Sequence, residues 1–413
     1  MTSNYFTEVT LGEISKGNKG SYGIAASAVE YSNDLYTYLR ITDITDDGTL
    51  NKDDLKSVDE ENAGKYLLQP NDIVFARTGN STGRSYFYDG TDGELVFAGF
   101  LIKFSLDSEK VNPKFMRYYT LSNEYRNWVT SFSTGSTRGN INAQTYANMK
   151  IHLPPREQQD YLVNLLSSLD KKIENNNKIN KILEETAAAI FKHWFVDFEF
   201  PNENGEPYHS SGGDMVESEL GLIPKGWKNG TLTEIGDLIM GQSPKGDTYN
   251  FEGNGLGLVN GASDFKNGEI NPLKYTTDPK KVSKEGDWIF GVRATVGNVT
   301  YVDKEYCLGR GVGVVRSQED IYREYLYFIL VASIDYLEKT ALGSVYINLT
   351  KTDFENIKVK IPDRRTIESF HIISGPIFKK INSLREENRK LTEIRDTLLP
   401  KLMSGEIRVP LED

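Results

Sequence analysis

Two pairs of polar loops carry the residue types in this sequence that are best suited to bind another molecule. One pair is ARTGNSTGR (76–84) and VRATVGN (292–298), and the other is TGSTRGNIN (134–142) and ALGSVYINL (341–349). Arginine can pair with guanine, asparagine with adenine, and serine or threonine with bases and phosphates. Ordinary turn chemistry explains each residue taken alone. Their recurrence at matched positions favours a binding role.

No group of residues has the spacing of a catalytic or metal site. The four histidines lack metal-ligand spacing. GQSPKGDT (241–248) has no lysine after its second glycine, and GNGLGL (253–258) matches a dinucleotide fingerprint only in part. Because catalysis needs a converging set of groups, the sequence predicts a protein with no catalytic residue, no bound metal and no cofactor.

Composition limits where the protein works and what it binds. The formal net charge of −11 argues against non-specific nucleic-acid binding, but a few cations on one face could still contact phosphates. Cys307 is the only cysteine, which excludes an intrachain disulfide. The longest apolar run, YLYFILVA (325–332), is shorter than the ~20 residues that a membrane span needs. We therefore predict a cytoplasmic protein with no membrane association.

The polar loops belong to a unit that occurs twice. From Lys171 to Lys379 the offset is 208 residues, and at this offset NMKIHLP (148–154) aligns with NIKVKIP (356–362). Farther upstream, with small shifts, NDIVFARTGNSTG (71–83) corresponds to the segment at 286–298. The chain is therefore predicted to contain two copies of one unit, each a globular domain followed by a long helix.

The globular parts are predicted to be α+β. Short segments rich in β-branched and aromatic residues, such as YTYLRITDI and DIVFA, are bounded by glycine, asparagine and aspartate and read as strands. Each copy adds one helical stretch, at 113–129 and at 323–340. This order of elements does not fit a doubly wound parallel sheet.

The two long helices have the apolar seam of a coiled coil, in which positions alternate by four and three residues. In the first copy the seam is Leu162, Leu166, Leu169, Ile173, Asn176, Asn180, Leu183, Ala187, Ile190 and Trp194. In the second it is Phe370, Ser374, Ile377, Ile381, Leu384, Asn388, Leu391, Arg395, Leu398 and Leu402. One alternative is that each helix only covers its own domain. We favour an antiparallel coiled-coil spacer with pseudo-twofold symmetry, in which Asn180 and Asn388 face each other and fix the register.

This repeat predicts five segments. They are a first domain at 1–152, a spacer helix at 153–200, a linker at 201–221, a second domain at 222–360, and a second spacer helix with the C-terminal tail at 361–413. The start of the first domain, TEVTLGEIS (7–15), has no counterpart to the IPKGW entry of the second. We interpret that difference as a trimmed start, which leaves the first strand uncertain.

Four motifs connect the repeat with a known family. They are LPPREQQDYLVNLLSSLDKKI (153–173), IFKHWFVDFEFP (190–201), LGLIPKGW (220–227) and LLPKLMSGEIRV (398–409). In their order and spacing they resemble the specificity subunit of type I restriction-modification systems over essentially the whole chain. The resemblance implies two target-recognition domains, each reading one half of a bipartite double-stranded DNA sequence.

The resemblance also implies partners. The helices would set the unread gap and dock two methyltransferase subunits, and restriction subunits can join that complex. Methylation, cleavage, S-adenosylmethionine and ATP would belong to those partners, so the chain itself would be no enzyme.

With that resemblance, the polar loops become candidate DNA contacts. For the first domain we predict Arg77, Thr78, Asn80, Ser81, Arg84, Thr137, Arg138 and Asn140. For the second we predict Arg293, Thr295, Asn298, Ser344, Tyr346 and Asn348, with Gln242, Ser243 and Lys245 as additions. Two other functions stay open: a nuclease or methyltransferase with an unrecognised site, and a two-headed adaptor for protein or carbohydrate.

Overall fold

The computed structural model describes residues 6–132, 139–266, 268–292, 298–340 and 350–407. The chain divides into two compact units. The first comprises Met1–Ile173 and Lys390–Asp413, and the second comprises Glu174–Arg389. Both units contain parts of the long helices, so the five predicted segment bounds stay a prediction.

The described residues before 200 form short strands and a few helices. The strands are β1 (Thr7–Thr10), β2 (Ser21–Tyr22), β3 (Val29–Glu30), β4 (Tyr36–Leu39), β5 (Lys56–Val58), β6 (Asp72–Ala76), β7 (Ser85–Tyr88), β8 (Leu95–Phe97), β9 (Leu101–Ser105) and β10 (Lys150–Leu153). The helices are α1 (Pro113–Tyr119), α2 (Asn123–Thr130), α3 (Ala143–Ala147) and α4 (Arg156–Phe191), and a π-helical turn at Lys192–Val196 follows α4.

The described residues after 200 form a similar set of strands and helices. The strands are β11 (Met215–Val216), β12 (Ile223–Pro224), β13 (Lys228–Thr231), β14 (Gly236–Met240), β15 (Tyr249–Asn250), β16 (Leu256–Val259), β17 (Phe265–Lys266), β18 (Glu269–Ile270), β19 (Lys274–Thr276), β20 (Trp288–Gly291), β21 (Thr300–Tyr301), β22 (Cys307–Leu308), β23 (Val312–Ser317) and β24 (Lys358–Ile361). The helices are α5 (Arg323–Thr340), α6 (Lys351–Glu355) and α7 (Arg364–Met403).

The sheets of the two units have the same topology, which confirms the internal repeat. In the first unit the strand orders are β2-β9-β6-β7 and β3-β5-β4-β8, and in the second they are β14-β23-β20-β21 and β15-β19-β16-β22. Even the parallel pairs correspond, since β4 pairs with β8 as β16 pairs with β22. The terminal pair β1 and β10 likewise corresponds to β13 and β24.

Alternation along one strand shows where the first core lies. Strand β6 is buried along its whole length. Its residues Ile73 and Phe75 pack with the helices, whereas Val74 and Ala76 pack with the second sheet. A strand covered on both faces needs apolar residues at successive positions, which explains the sequence DIVFA. In the second unit, Phe290 and Ile289 of β20 enter two different cores in the same way.

One predicted helix is broken in the structure. The stretch at 113–129 forms α1 and α2, separated after Thr120. Asn112 caps α1, and the Ser122 hydroxyl accepts from the Tyr125 backbone N–H and caps α2. Serine favours a cap over a helix interior because its hydroxyl satisfies an otherwise unpaired N–H group. The corresponding stretch in the second copy is continuous as α5.

The long helices pair antiparallel, as predicted. In the second unit the Asn176 amide donates to the Asn388 oxygen at 2.9 Å, and Arg385 donates to Glu184 at 2.7 Å. In the first unit Arg395 donates to Asp170 at 3.1 Å. Residue numbers rise along α4 while those of its partners in α7 fall. All predicted seam positions are buried or half-buried, which confirms the heptad pattern.

The predicted pairing of Asn180 with Asn388 is wrong. Asn388 instead bonds to Asn176 and also donates to Asn177 at 2.8 Å. A twofold-like interface pairs each residue with a non-equivalent one unless the residue lies on the axis. At the offset of 208 residues, the Asn176 contact with Asn388 corresponds to Asn180 opposite Leu384. Leucine cannot donate a hydrogen bond, and the buried Asn180 Oδ1 has no partner among the described residues.

Candidate functional site

The loop after β6 is held in place from both sides of its first residue. The Arg77 N–H donates to the Phe100 carbonyl at 3.0 Å, and the Ile141 N–H donates to the Arg77 carbonyl at 2.9 Å. Thr78 forms a backbone bridge with Asn140. The structure therefore brings parts of the two predicted loops of the first domain together, and Asn80 and Asn140 are both exposed.

Buried tyrosines support this loop from below. The Tyr125 hydroxyl donates to the Gly83 carbonyl at 2.6 Å, and the Tyr146 hydroxyl donates to the Ala76 carbonyl at 3.1 Å. Burial raises the pKa of both hydroxyls above the ordinary tyrosine value, so both stay protonated donors. Gly83 has a φ of 88°, and a Cβ there would lie 2.4 Å from Val129. Only glycine fits this position.

Arg77 has a neighbour that sequence reasoning missed. Its guanidinium carbon lies 5.0 Å from the centroid of the Tyr22 ring, within the range of a cation–π contact. Tyr22 belongs to β2, more than fifty residues away in the chain, and its side chain is 43% exposed. An exposed aromatic residue in GSYG was the only sequence signal, and it could not have indicated which cation it meets.

The other predicted residues of this loop differ in availability. Arg84 is already engaged, since it donates to the Asp46 carboxylate at 2.7 Å and to the Ile44 carbonyl at 3.0 Å. Ser81 is buried. These contacts favour a supporting role for Arg84 and Ser81, whereas Arg77 has no acidic partner within the described part of the chain.

Seven of the predicted contacts lie outside the described residues: Thr137, Arg138, Arg293, Thr295, Ser344, Tyr346 and Asn348.

The second domain presents an equivalent surface with different side chains. The Gly241 N–H donates to the Val312 carbonyl at 2.9 Å, as the Gly23 N–H donates to the Leu101 carbonyl at 3.3 Å. The next residue, Gln242, is exposed, and beyond it Ser243 is half-buried and Lys245 is exposed. Asn298 is also exposed. Gln242 and Lys245 are therefore surface residues shortly after the matched glycine, and the role of all three residues stays a prediction.

A turn between β22 and β23 holds a further exposed arginine, Arg310. Glycines flank it because the turn approaches Asn260 closely: a Cβ on Gly309 would lie 2.3 Å from the Asn260 side-chain oxygen, and one on Gly311 would lie 2.1 Å from its carbonyl. Arg310 has no acidic partner within the described part of the chain. The sequence signal was GRG between two apolar segments, which reads as a plain turn until the strands beside it are known.

Matching hydrogen bonds define which residues correspond. Val292 takes the place of Arg77, because its N–H donates to the Gly311 carbonyl at 3.0 Å as that of Arg77 donates to Phe100. Met240 takes the place of Tyr22, since both precede the matched glycine and pair with matched strands. The frame of the surface is common to both domains and its side chains are not.

Two further classes of site receive no support. Among the described residues no group of three His, Cys, Asp or Glu side chains is placed to hold a metal ion. Within those same residues, none of the helices is both long enough and apolar enough to span a membrane.

The repeated two-sheet domain with a long helix belongs to a known class of DNA-specificity proteins. The family model described as the type I restriction modification DNA specificity domain matches residues 5–185 and 224–382. Because these ranges cover most of the chain, it belongs to this family.

Curated relatives and a solved structure agree with the assignment. The chain is 24% identical to the type I restriction enzyme HindI specificity subunit of Haemophilus influenzae, covering 97% of this chain and 99% of the relative. It is 29% identical to the MjaIX specificity subunit of Methanocaldococcus jannaschii, covering 74% and 71%. The crystal structure of a type I restriction-modification system S subunit from M. genitalium has a TM-score of 0.57 and 17% identity, covering 97% of each chain. That structure supports the fold.

Proposed function

We propose that this chain gives a type I restriction-modification complex its DNA sequence specificity. Each globular domain reads one half of a bipartite target, and the paired helices set the unread gap and dock two methyltransferase subunits. The chain performs no catalysis. Methylation, and cleavage where a restriction subunit joins, reside in the partners, as do S-adenosylmethionine and ATP.

One observation carries the proposal: the same backbone frame occurs twice with different side chains at its surface. The first surface has the half-buried Arg77 and the exposed Asn80, and the second has the exposed Gln242, Lys245 and Arg310. Two equal frames with unequal contacts are what two different half-sites require, because phosphate contacts position a domain and side chains at base edges specify the sequence. The acidic net charge of −11 confines DNA contact to such local groups of cations.

The decisive experiment maps methylated adenines by long-read sequencing. A bacterium without its own methylation would express this chain with its methyltransferase subunit, and a control strain would express the methyltransferase alone. We expect a new split motif, with two short blocks separated by a fixed gap. An absence of new methylation from a soluble, associated pair would contradict the proposal and favour the adaptor function.

A further inference from the structure

We propose that Tyr22 is a positioning residue that holds the Arg77 guanidinium ready to read a guanine in the half-site of the first domain. This inference rests on the proposed function and names one base that the first domain reads.

Backbone hydrogen bonds fix the position from which the Arg77 side chain extends. Its N–H and carbonyl groups are both engaged, with Phe100 and Ile141 respectively. The Tyr22 ring is fixed as well, because its hydroxyl accepts from the Ala143 N–H at 3.2 Å. Two side chains with fixed starting points meet at 5.0 Å between guanidinium carbon and ring centroid. The contact therefore restricts the rotamers of an otherwise flexible arginine.

The free groups of Arg77 point to an external ligand. Its Nε is buried and has no hydrogen-bond partner among the described residues. The two terminal nitrogens are not buried in this way, and no described acceptor bonds to them. A guanidinium with two free terminal nitrogens can donate to two acceptors on one edge.

Guanine is the base that fits this donor pair. In the major groove it presents O6 and N7 as adjacent acceptors, and a bidentate arginine contact with them is the commonest specific contact to a base. Stacking on an aromatic face orders the guanidinium before binding, so less freedom is lost when the contact forms. Phosphate binding needs only a cation and no fixed plane.

The second domain lacks both members of the pair. Met240 stands where Tyr22 does, and Val292 stands where Arg77 does, on the same frame of hydrogen bonds. The pair is therefore not required by the fold of the domain. It is a difference between two surfaces that are proposed to read different sequences, and its removal should affect one half-site alone.

The test compares methylation motifs of four variants with that of the natural chain, each expressed with the methyltransferase subunit in the methylation-free bacterium. We expect Arg77→Ala and Arg77→Lys to weaken the preference for guanine at one position of one half-site. Lysine keeps the charge but cannot make the bidentate contact. Tyr22→Leu should lower the preference for guanine at the same position by roughly tenfold. A bidentate contact favours its own base over the others by about that factor or more. Tyr22→Phe keeps the ring but loses the hydroxyl contact with the Ala143 N–H, so it should retain more of the guanine preference than Tyr22→Leu does. The other half-site should stay unchanged throughout.

The outcomes separate this inference from the proposed function. A split motif whose guanines survive Arg77→Ala, or a Tyr22→Leu variant that keeps full preference, would overturn the inference and leave the proposed function standing. Equal relaxation by Tyr22→Phe and Tyr22→Leu would also overturn it, because the ring would then not be the cause. Should Tyr22→Leu abolish methylation altogether, Arg77→Lys and Tyr22→Phe still decide between relaxed and retained guanine. If the natural chain produced no split motif, that result would contradict both this inference and the proposed function.

Discussion

Arginines near the two domain surfaces differ in whether they form ion pairs within their own domain. Arg84 and Arg316 are bound to acidic groups of their own domain, and the Asp287 partner of Arg316 is only 2% exposed in its side chain. Arg77 and Arg310 have no acidic partner in the described part of the chain. At the scale of single residues, ion pairing within the domain therefore separates arginines that support the fold from those available to DNA.

We expect Arg310→Ala to weaken DNA binding by about 1–3 kcal/mol and to relax one position of the second half-site, as loss of a base-reading arginine should. Binding of the complex to its mapped target, measured by fluorescence anisotropy, tests the affinity. Its unfolding should match that of the natural chain. Arg316→Ala is the matched control: it leaves Asp287 buried without its cation and should lower the free energy of unfolding by about 2–3 kcal/mol. Equal destabilisation by both variants would contradict this distinction.

A second expectation concerns the support of the first polar loop. Tyr125→Phe removes the buried hydroxyl that donates to the Gly83 carbonyl, which should cost about 1–3 kcal/mol. Denaturant unfolding followed by fluorescence measures this change. Tyr161→Phe provides the control, since Tyr161 is 43% exposed and should tolerate the change. A Tyr125→Phe variant as stable as Tyr161→Phe would show that the hydroxyl does not hold the loop.

At the scale of elements, the paired helices contain a polar layer within an apolar seam. Both polar atoms of the Asn388 amide are hydrogen-bonded, to Asn176 and to Asn177, whereas the buried Oδ1 atoms of Asn176 and Asn180 have no partner among the described residues. A buried polar atom without a partner destabilises, and a satisfied one specifies register. The two asparagines at equivalent seam positions should therefore respond oppositely to substitution.

Asn180→Leu should raise the free energy of unfolding by about 1 kcal/mol, because it replaces an unpaired polar group by an apolar one. Asn388→Leu should lower it by about 1–2 kcal/mol, because it removes one of the two acceptors of the Asn176 amide and the donor to Asn177. Thermal unfolding followed by circular dichroism of the helices compares the two variants. If both variants lose stability equally, the hydrogen bonds of Asn388 and the unpaired oxygen of Asn180 do not have the opposite effects on stability that we expect.

At the scale of the whole molecule, the proposed function assigns the unread gap to helix length. Helices α4 and α7 contain 36 and 40 residues. An α-helix rises 1.5 Å per residue, so an added heptad lengthens it by about 10 Å while keeping the seam in phase. DNA rises about 3.4 Å per base pair, so that length corresponds to about three base pairs.

Insertion of seven residues after Ile173 and another seven after Arg389 should therefore widen the unread gap of the methylated motif by about three base pairs. Both half-sites should keep their bases, because the domain surfaces do not change. Methylation mapping provides the measurement. An insertion of seven residues at Gly205, an exposed turn residue with a φ of 81°, is the control and should leave the gap unaltered. A gap that ignores the helix insertions would assign its length to another part of the complex.

The sequence alone determined the repeat, the α+β class and the helix seam, because these depend on local periodicity and on self-comparison. Burial along DIVFA and along the seams follows from the order of apolar residues, and the structure confirms both. The break between α1 and α2 could not be predicted from the sequence. The pattern there is that of a continuous helix, and the corresponding segment of the second copy does form one continuous helix, α5, whereas Ser122 caps a new helix in the first copy.

Only the tertiary structure decided which side chains meet. Asn388 faces Asn176 because an antiparallel twofold relation pairs non-equivalent positions, and spacing along one helix does not contain that offset. Tyr22 and Arg77 come together because β2 and β6 flank β9 in one sheet. Pairing between strands distant in sequence depends on the energy of the whole packed domain. Single-sequence patterns therefore predicted a binding role for the loop that carries Arg77, but they could not predict which aromatic ring contacts it.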